Sequence, residues 1–241
     1  MERTSGLICL IIPPSPFLAD ERVFPSLGIL KVAACLEKAG YPVEVLDLCG
    51  VANYTEVSRT YFSSQRCDFV GITMTTPQLP NAEEITHIIR EEQPQTKVCW
   101  GGPHVTSTVA AYKREQKMQV ERRATKAFQH LLQEANVLVT GDGEEAIFQA
   151  LQAPPPVLID GDDPNTPLFL RPESFANYPF PARHLIDIHS YHYEIEGVPA
   201  SALISQLGCP FMCSFCGGRL SPSFRRARLR STDHLLAEIR E

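Results

Sequence analysis

No stretch of this sequence approaches the roughly 18 consecutive apolar residues that a transmembrane helix requires. The first apolar run, at residues 7–12, is also short for the hydrophobic region of a signal peptide, and Pro13 and Pro14 end it. A buried first β-strand is the better interpretation of this run. We therefore expect a protein of the reducing cytoplasm without a membrane partner.

The chain also lacks an excess of basic residues. Its 22 lysines and arginines are outnumbered by 28 aspartates and glutamates, which gives 241 residues a formal net charge of -6. General nucleic-acid binders are usually basic. We expect no nucleic-acid partner.

Five of the eight cysteines are scattered inside apolar runs, where free cysteines pack as small buried hydrophobic residues: Cys9, Cys35, Cys49, Cys67 and Cys99. The other three, Cys209, Cys213 and Cys216, lie within eight residues of one another. Their spacing requires a different explanation.

Strand and helix patterns alternate over the first 150 residues. Strands are predicted at residues 7–12, 43–48, 69–73, 97–100 and 137–140, and helices at 27–39, 52–65, 82–92 and 146–151. A further amphipathic helix is indicated by Ala124, Phe128, Leu131, Leu132 and Ala135, with a charged, solvated insertion before it. This order predicts an α/β fold, a doubly wound parallel sheet with helices on both faces.

The unusual loops of this sheet follow its strands, at residues 13–16, 73–77, 101–104 and 141–144. Ligands of open parallel sheets bind beyond the carboxyl ends of the strands. Glycine allows a backbone to approach a ligand closely, and threonine supplies hydroxyl groups. These loops predict a binding edge, although each alone is equally explained as a tight turn.

Prolines at 154–156, 164, 179 and 181 change the character of the chain after residue 152. They predict a linker over residues 153–198, between a domain at 1–152 and a second domain at 199–241. A strand is expected at residues 202–206, directly before the cysteines.

Three thiolates on one short loop suit a soft metal. Structural zinc normally takes four ligands, and no fourth cysteine follows; the nearest downstream histidine is His234, inside a predicted helix. A 4Fe-4S cluster held by three cysteines leaves one iron open for another ligand.

This C-x3-C-x2-C segment, preceded by Gly208, resembles the signature of radical S-adenosylmethionine (SAM) enzymes. The resemblance implies that Cys209, Cys213 and Cys216 hold a 4Fe-4S cluster. It also implies that SAM chelates the open iron, that Phe215 lies against its adenine, and that an electron from the cluster cleaves SAM to a 5′-deoxyadenosyl radical.

Residues 25–40, 43–48, 71–76, 101–104 and 141–145 resemble, in order, the cobalamin-binding domain that precedes the radical SAM barrel in one branch of that superfamily. The linker at 179–185 and the stretch at 228–231 fit the same branch. The resemblance implies a flavodoxin-like sheet, then a linker and the first β/α unit of a partial barrel. It also implies cobalamin contacts at Thr73, Thr75, Thr76, Gly101, Gly102, His104, Gly141 and Gly143. His104 could touch the ring or the cobalt, but a structural hydrogen bond within its turn is favoured.

The implied activity is methyl transfer, radical rearrangement or cyclisation on a small-molecule substrate, with electrons from a donor protein. The D-x-H-x-x-G motif that supplies a cobalt-binding histidine in some cobalamin proteins is absent. The chain ends at Glu241, after about one strand and one helix of the expected barrel. We therefore expect a fragment or a shortened relative, inactive alone.

Two other functions fit parts of the sequence. Gly141, Gly143 and Ala146 match the G-x-G-x-x-A dinucleotide fingerprint, with Asp160 and Asp162 near the distance expected of a ribose-binding acid. That would indicate a nucleotide-dependent oxidoreductase. An RNA- or protein-binding module beside a metal site is the other alternative, suggested by Arg219, Phe224, Arg225, Arg226, Arg228 and Arg230.

Overall fold

Six parallel strands form the main sheet of the computed structural model, which describes residues 6–241. The strands are β1 (Ile8–Ile12), β2 (Val43–Asp47), β3 (Phe69–Thr73), β4 (Lys97–Gly101), β5 (Val137–Gly141) and β6 (Val157–Gly161). Their order across the sheet is β2-β1-β3-β4-β5-β6. The first five strands have the order of the flavodoxin-like doubly wound fold, so the predicted fold class is confirmed.

Helices cover both faces of this sheet. They are α1 (Leu27–Lys38), α2 (Tyr54–Ser64), α3 (Leu79–Glu92), α4 (Pro103–Lys117), α5 (Arg123–Glu134) and α6 (Gly143–Gln152). Helices α1 and α6 pack on one face, and α2 to α5 contribute to the core on the other. Strand β1 shows the division: Leu10 points to the α1/α6 face and Ile11 to the opposite face, and both are buried.

The five scattered cysteines are buried and free, as predicted. Cys9 and Cys67 belong to the core on one face of the sheet, and Cys49 and Cys99 to the core on the other. The other three cysteines are exposed.

The prediction of a charged, solvated insertion is wrong in part, because the first residues of that stretch form the last turns of α4. Val105, Val109 and Ala110 of that helix are buried at a helical spacing, a signal that the neighbouring charges obscured. Glu115 links α4 to α5 by accepting hydrogen bonds from the backbone N–H groups of Arg122 (2.9 Å), Ala124 (3.1 Å) and Thr125 (2.9 Å). The amphipathic helix predicted after it is present as α5.

Strand β6 lies inside the segment predicted as a linker. It pairs with β5 in parallel register, with Val139 beside Ile159 and Gly141 beside Gly161. The prolines at 154–156 concealed a five-residue strand at the sheet edge, where proline is tolerated at a strand's start. The sheet therefore extends past residue 152; the division of the chain into domains stays a prediction, and its first residues, 1–5, lie outside the described ones.

The remaining elements are short. They are α7 (Pro172–Phe175), β7 (Glu194–Ile195), β8 (Val198–Pro199), β9 (Gln206–Leu207), α8 (Pro222–Arg225), β10 (Arg228–Leu229) and α9 (Thr232–Arg240). The Ser231 hydroxyl caps α9, the helix expected after residues 228–231, by accepting from the N–H of His234 at 3.2 Å. None of the helices described between residues 6 and 241 is long and apolar enough to cross a membrane.

The strand predicted at residues 202–206 is wrong except at Gln206. Two backbone carbonyls of this segment accept from arginine side chains: Ala202 from Arg183 and Ile204 from Arg230, each at 3.0 Å. Only Gln206 and Leu207 pair with a strand, the antiparallel β10. The segment is mostly irregular because those carbonyls bond to side chains instead of a β-ladder.

Candidate functional site

An apolar cleft opens at the carboxyl edge of the sheet, on the face covered by α1 and α6. Its volume is about 570 Å³ when the solvent-open space at its mouth is included. It is lined by Leu10, Ile29, Val32, Gly71, Ile72, Thr73, Cys99, Gly101, Gly102, Val139, Gly141, Gly143 and Ile147. The lining residues come from β1, β3, β4 and β5 and from the two helices above them.

The cleft exists because two neighbouring strands lack side chains on this face. Gly71 of β3 lies between Leu10 and Cys99 in register, and Gly101 of β4 lies beside Thr73. A Cβ added at Gly71 would come within 2.8 Å of the Leu10 side chain, and one at Gly101 would meet only Val139, at 3.6 Å or more. Glycine inside a strand commonly marks the close approach of a ligand or another backbone.

Five of the residues predicted to contact cobalamin line this cleft: Thr73, Gly101, Gly102, Gly141 and Gly143. Sequence reasoning missed its apolar walls, formed by Leu10, Ile29, Val32, Cys99, Val139 and Ile147. Gly71, a glycine inside a predicted strand, was the available signal.

Thr75, Thr76 and His104 are outside the cleft lining and hold the neighbouring turn together. Thr75 donates from its N–H and hydroxyl to the Gln78 side chain, at 2.8 and 2.9 Å. His104 Nδ1 is 3.0 Å from the Thr76 hydroxyl, and desolvation lowers the pKa of His104. The favoured interpretation of His104, a structural hydrogen bond within the turn, agrees with this geometry.

The cysteine loop (residues 208–216) is anchored at its start. Gly208 has φ +76°, and a Cβ there would lie 2.1 Å from the carbonyl oxygen of Arg226, so glycine is required. The N–H of Cys209 donates to the carbonyl of Phe224 at 2.8 Å, and that of Cys216 donates to Cys213 at 3.1 Å. The Phe215 ring, expected against adenine, is 90% exposed.

The three thiols suit iron in number, chemistry and access. Thiolate is the ligand that holds iron–sulfur clusters in proteins, and all three cysteines of the loop are exposed and free. Between residues 6 and 241, however, no group of three or more His, Cys, Asp or Glu side chains is arranged to hold a metal ion. The donor set is of the kind that holds a cluster, but the described structure does not bring its sulfur atoms together around a common point.

Two buried contacts join the sheet edge to the segment behind the cysteine loop. Arg228, 2% exposed, donates to the carboxylate of Asp142 in the turn between β5 and α6. Asp162, directly after β6, accepts from the Ser221 hydroxyl at 2.7 Å and the Ser223 N–H at 2.8 Å. The cysteine loop and the cleft are therefore tied to the same edge of the sheet.

Contacts in this region argue against the two alternative functions, a dinucleotide site and an RNA-binding module. Asp160 is paired with Lys113 and accepts from Thr140 at 2.8 Å, and Asp162 is buried on the serines, so neither acid is open to a ribose. In the arginine run, Arg228 and Arg230 are buried in ion pairs with Asp142 and Glu238. These arginines hold the fold together instead of forming a solvated face for RNA.

Comparison with known proteins supports the predicted resemblance. The B12 binding domain family matches residues 20–132. An uncharacterized methyltransferase of Pyrococcus horikoshii is 26% identical over 255 residues, covering 96% of this chain and 49% of that protein. An anaerobic magnesium-protoporphyrin IX monomethyl ester cyclase of Cereibacter sphaeroides is 25% identical over 80% of this chain and 31% of its own length. The chain thus spans half or less of these curated relatives.

Solved structures of low identity share the fold over nearly the whole chain. TsrM of Kitasatospora setae, a radical SAM methyltransferase with cobalamin and a [4Fe-4S] cluster bound, has a TM-score of 0.58 at 18% identity, over 98% of this chain and 46% of its own. OxsB, a cobalamin-dependent SAM radical enzyme with aqua-cobalamin and SAM bound, has a TM-score of 0.64 at 14% identity, over 98% and 31%. The family match and these shared folds confirm the predicted resemblance at the level of the B12 binding domain and of the fold.

Proposed function

From the match of residues 20–132 to the B12 binding domain family, we propose that this chain binds cobalamin at the carboxyl edge of its sheet and a 4Fe-4S cluster on Cys209, Cys213 and Cys216. The observation that carries the proposal is the glycine-floored cleft on that edge, to which the segment behind the cysteine loop is tied. The chain would then contribute both cofactor sites to a radical SAM enzyme.

The cleft suits the nucleotide tail of cobalamin better than its corrin ring. The space above Gly71 and Gly101 is bounded by apolar side chains of α1 and α6, including Ile29 and Ile147. A flat aromatic base gains free energy by leaving water for such a slot. The broad ring would lie outside, on the loops that follow β1, β3, β4 and β5, and the Thr73 hydroxyl would donate to or accept from a polar group at the mouth.

The cysteine loop would hold iron through its three thiolates and leave one coordination position for SAM. When bound, the two groups would supply a reducing electron for SAM cleavage and a carrier for a methyl group. The protein's own part is to orient them and exclude water. Phe215 would cover the adenine, since an exposed aromatic ring beside a ligand gains contact area by closing on it.

The reaction class that follows is methyl transfer, or radical rearrangement or cyclisation, on a small molecule, with electrons from a donor protein in the cytoplasm. A relative that is a methyltransferase and one that is a cyclase support these two outcomes. At 25–26% identity, the substrates of these relatives are not assigned to this chain.

Anaerobic reconstitution with iron and sulfide, followed by equilibrium dialysis against hydroxocobalamin, tests both halves of the proposal. We expect a brown protein with about four irons and four sulfides per chain and about one retained cobalamin. Iron without cobalamin would leave the radical SAM half and remove the cobalamin half. Zinc in place of iron and sulfide would contradict the cluster and favour the RNA- or protein-binding module.

A further inference from the structure

Arg228 is an unusually buried charge. Its guanidinium donates to the Asp142 carboxylate, to the carbonyl of Ser223 at 2.8 Å and to that of Arg226 at 3.2 Å. A fork of several donors meeting a carboxylate and two carbonyls fixes the relative positions of all three. Burying an arginine is unfavourable unless such partners are present. We therefore consider what this buried contact does for the parts of the chain that it joins.

The partners of Arg228 on its own side form the support of the cysteine loop. We name residues 221–228 the anchor segment. The carbonyl oxygen of Arg226 lies against Gly208, and the carbonyl of Phe224 accepts from the Cys209 N–H. The Arg225 side chain donates to the carbonyl of Pro210 at 3.1 Å. The position of the anchor segment therefore sets where the first cysteine of the loop stands.

The partner of Arg228 on the other side belongs to the cleft. Asp142 lies between Gly141 and Gly143, both of which line it. Gly141 has φ +74°, and a Cβ there would be 2.5 Å from the backbone of Gly161. The turn that carries Asp142 is thus locked against β6, and Asp162, which follows β6, holds the other end of the anchor segment through Ser221.

We propose that Arg228 and Asp142 are positioning residues that fix the distance between the iron–sulfur cluster and the corrin. This inference rests on the proposed function and assigns to the pair a task that neither cofactor site performs alone. The contacts that join the cleft turn to the start of the cysteine loop would hold the two cofactors in one geometry. Transfer between bound groups depends steeply on such placement.

The separation can be measured without turnover, because a reduced [4Fe-4S] cluster and cob(II)alamin are both paramagnetic. Pulsed electron paramagnetic resonance on frozen protein loaded with iron, sulfide and cobalamin gives the dipolar coupling between them. We expect a narrow distance distribution in the unchanged chain. Arg228→Met should broaden it at least twofold, and Arg228→Lys, which keeps the charge but loses the planar fork, should not restore it.

Two further variants separate positioning from stability. Arg240→Met, which removes an exposed arginine at the end of α9, should leave the distribution unchanged. The double variant Asp142→Asn, Arg228→Met avoids leaving the carboxylate buried without its partner, and should also broaden the distribution. A purely structural role would lower the melting temperature and the occupancy of both cofactors but leave the distance unaltered in protein that is loaded.

An unchanged distribution in loaded Arg228→Met and in the double variant would overturn the inference while leaving the proposed function intact. Failure of the unchanged chain to bind cobalamin or iron would instead remove the proposed function, and the inference with it. Broadening in the Arg240→Met control as large as in Arg228→Met would also overturn the assignment to this pair.

Discussion

The sheet and the cysteine loop use the same side chain in opposite environments. Desolvation raises the pKa of Cys35, Cys49 and Cys99, which belong to the sheet and its helices, to about 12. A thiol with such a pKa is protonated at neutral pH and cannot serve as a ligand, because metals bind the thiolate. The three cysteines of the loop, in contrast, are exposed. Burial therefore separates the five cysteines that pack in the sheet region from the three exposed cysteines that we propose as ligands.

The two regions also differ in what holds them. The sheet is built from continuous apolar strands packed on both faces, whereas the cysteine loop has little core of its own and depends on backbone hydrogen bonds and on the Asp142 and Asp162 contacts. Local stability follows buried apolar contacts. A substitution in the loop should therefore affect ligand binding more than folding, and one in the sheet can affect both.

The largest expected effect is the loss of the cluster in Cys213→Ala. Removing one of three thiolates leaves too few protein ligands for a stable 4Fe-4S site, so we expect reconstituted iron to fall at least tenfold. Iron analysis and the visible absorption of the cluster measure this. Cys35→Ala is the matched control: it changes a buried cysteine on α1 and should retain full iron. Equal loss of iron in both variants, or none in Cys213→Ala, would contradict the division between the two classes of cysteine.

How much the sequence predicts also differs between the regions. Burial makes most of the strands apolar runs, so five of the six strands and five of the six helices on the sheet followed from pattern alone, whereas α4 was missed. Strand β6 did not, because its prolines resemble a linker and its pairing with β5 is a long-range contact. The strand predicted just before the cysteines was also wrong because of contacts distant in sequence. The carbonyls of that segment accept hydrogen bonds from arginine side chains instead of pairing with a strand.

The candidate site shows the same limit. The glycines at the strand ends and the cysteine spacing are local signals. The first indicated the edge at which the cleft opens, and the cluster expected on the cysteines stays a prediction. The apolar walls of the cleft resemble any other core residue, and only the fold brings Ile29 and Ile147 over Gly71. The Arg228–Asp142 contact joins residues 86 positions apart, which no local pattern indicates.

A valine at position 101 should close the cleft without disturbing the sheet. A Cβ at Gly101 would lie 3.6 Å from the Val139 carbonyl oxygen, an ordinary contact. Because Gly101 lines the cleft, we expect the added methyl groups to fill part of it. We expect Gly101→Val to weaken hydroxocobalamin binding at least tenfold, equivalent to about 1.4 kcal/mol, and Gly101→Ala to have an intermediate effect. Equilibrium dialysis measures both.

Ser63→Val provides the control for this series, because it adds a comparable apolar side chain at an exposed site on α2, away from the cleft lining. Its affinity for hydroxocobalamin should equal that of the unchanged chain. If Gly101→Val kept its cobalamin affinity while retaining the cluster, the cofactor would not use the cleft. That result would contradict the proposal that the nucleotide tail of cobalamin lies in the cleft while its corrin ring lies outside.

The smallest expected effect is a pH dependence at the junction of the two regions. Desolvation, followed by the nearby charge of Glu144, raises the pKa of Asp142 to about 6, although Arg228 opposes the rise. The Lys31–Glu144 ion pair, 2.9 Å apart, lies next to the same turn. Because the folded carboxyl binds its proton more tightly than the unfolded one, whose pKa is 3.8, the folded state takes up a proton across this window and gains stability as pH falls from about 7 to 4.

Asp142→Asn lacks this titration. The unfolding free energy of the unchanged chain minus that of Asp142→Asn should therefore rise as pH falls through 6, by at most about 3 kcal/mol, and level off near pH 4. Denaturant unfolding at several pH values measures the difference, and Glu121→Gln, at an exposed carboxylate between α4 and α5, supplies a reference slope. A difference that falls with decreasing pH would mean that Arg228 dominates and holds the carboxylate ionised. The ionised pair would then stabilise the folded chain at neutral pH and lose that contribution in acid, the reverse of the stability dependence that burial predicts.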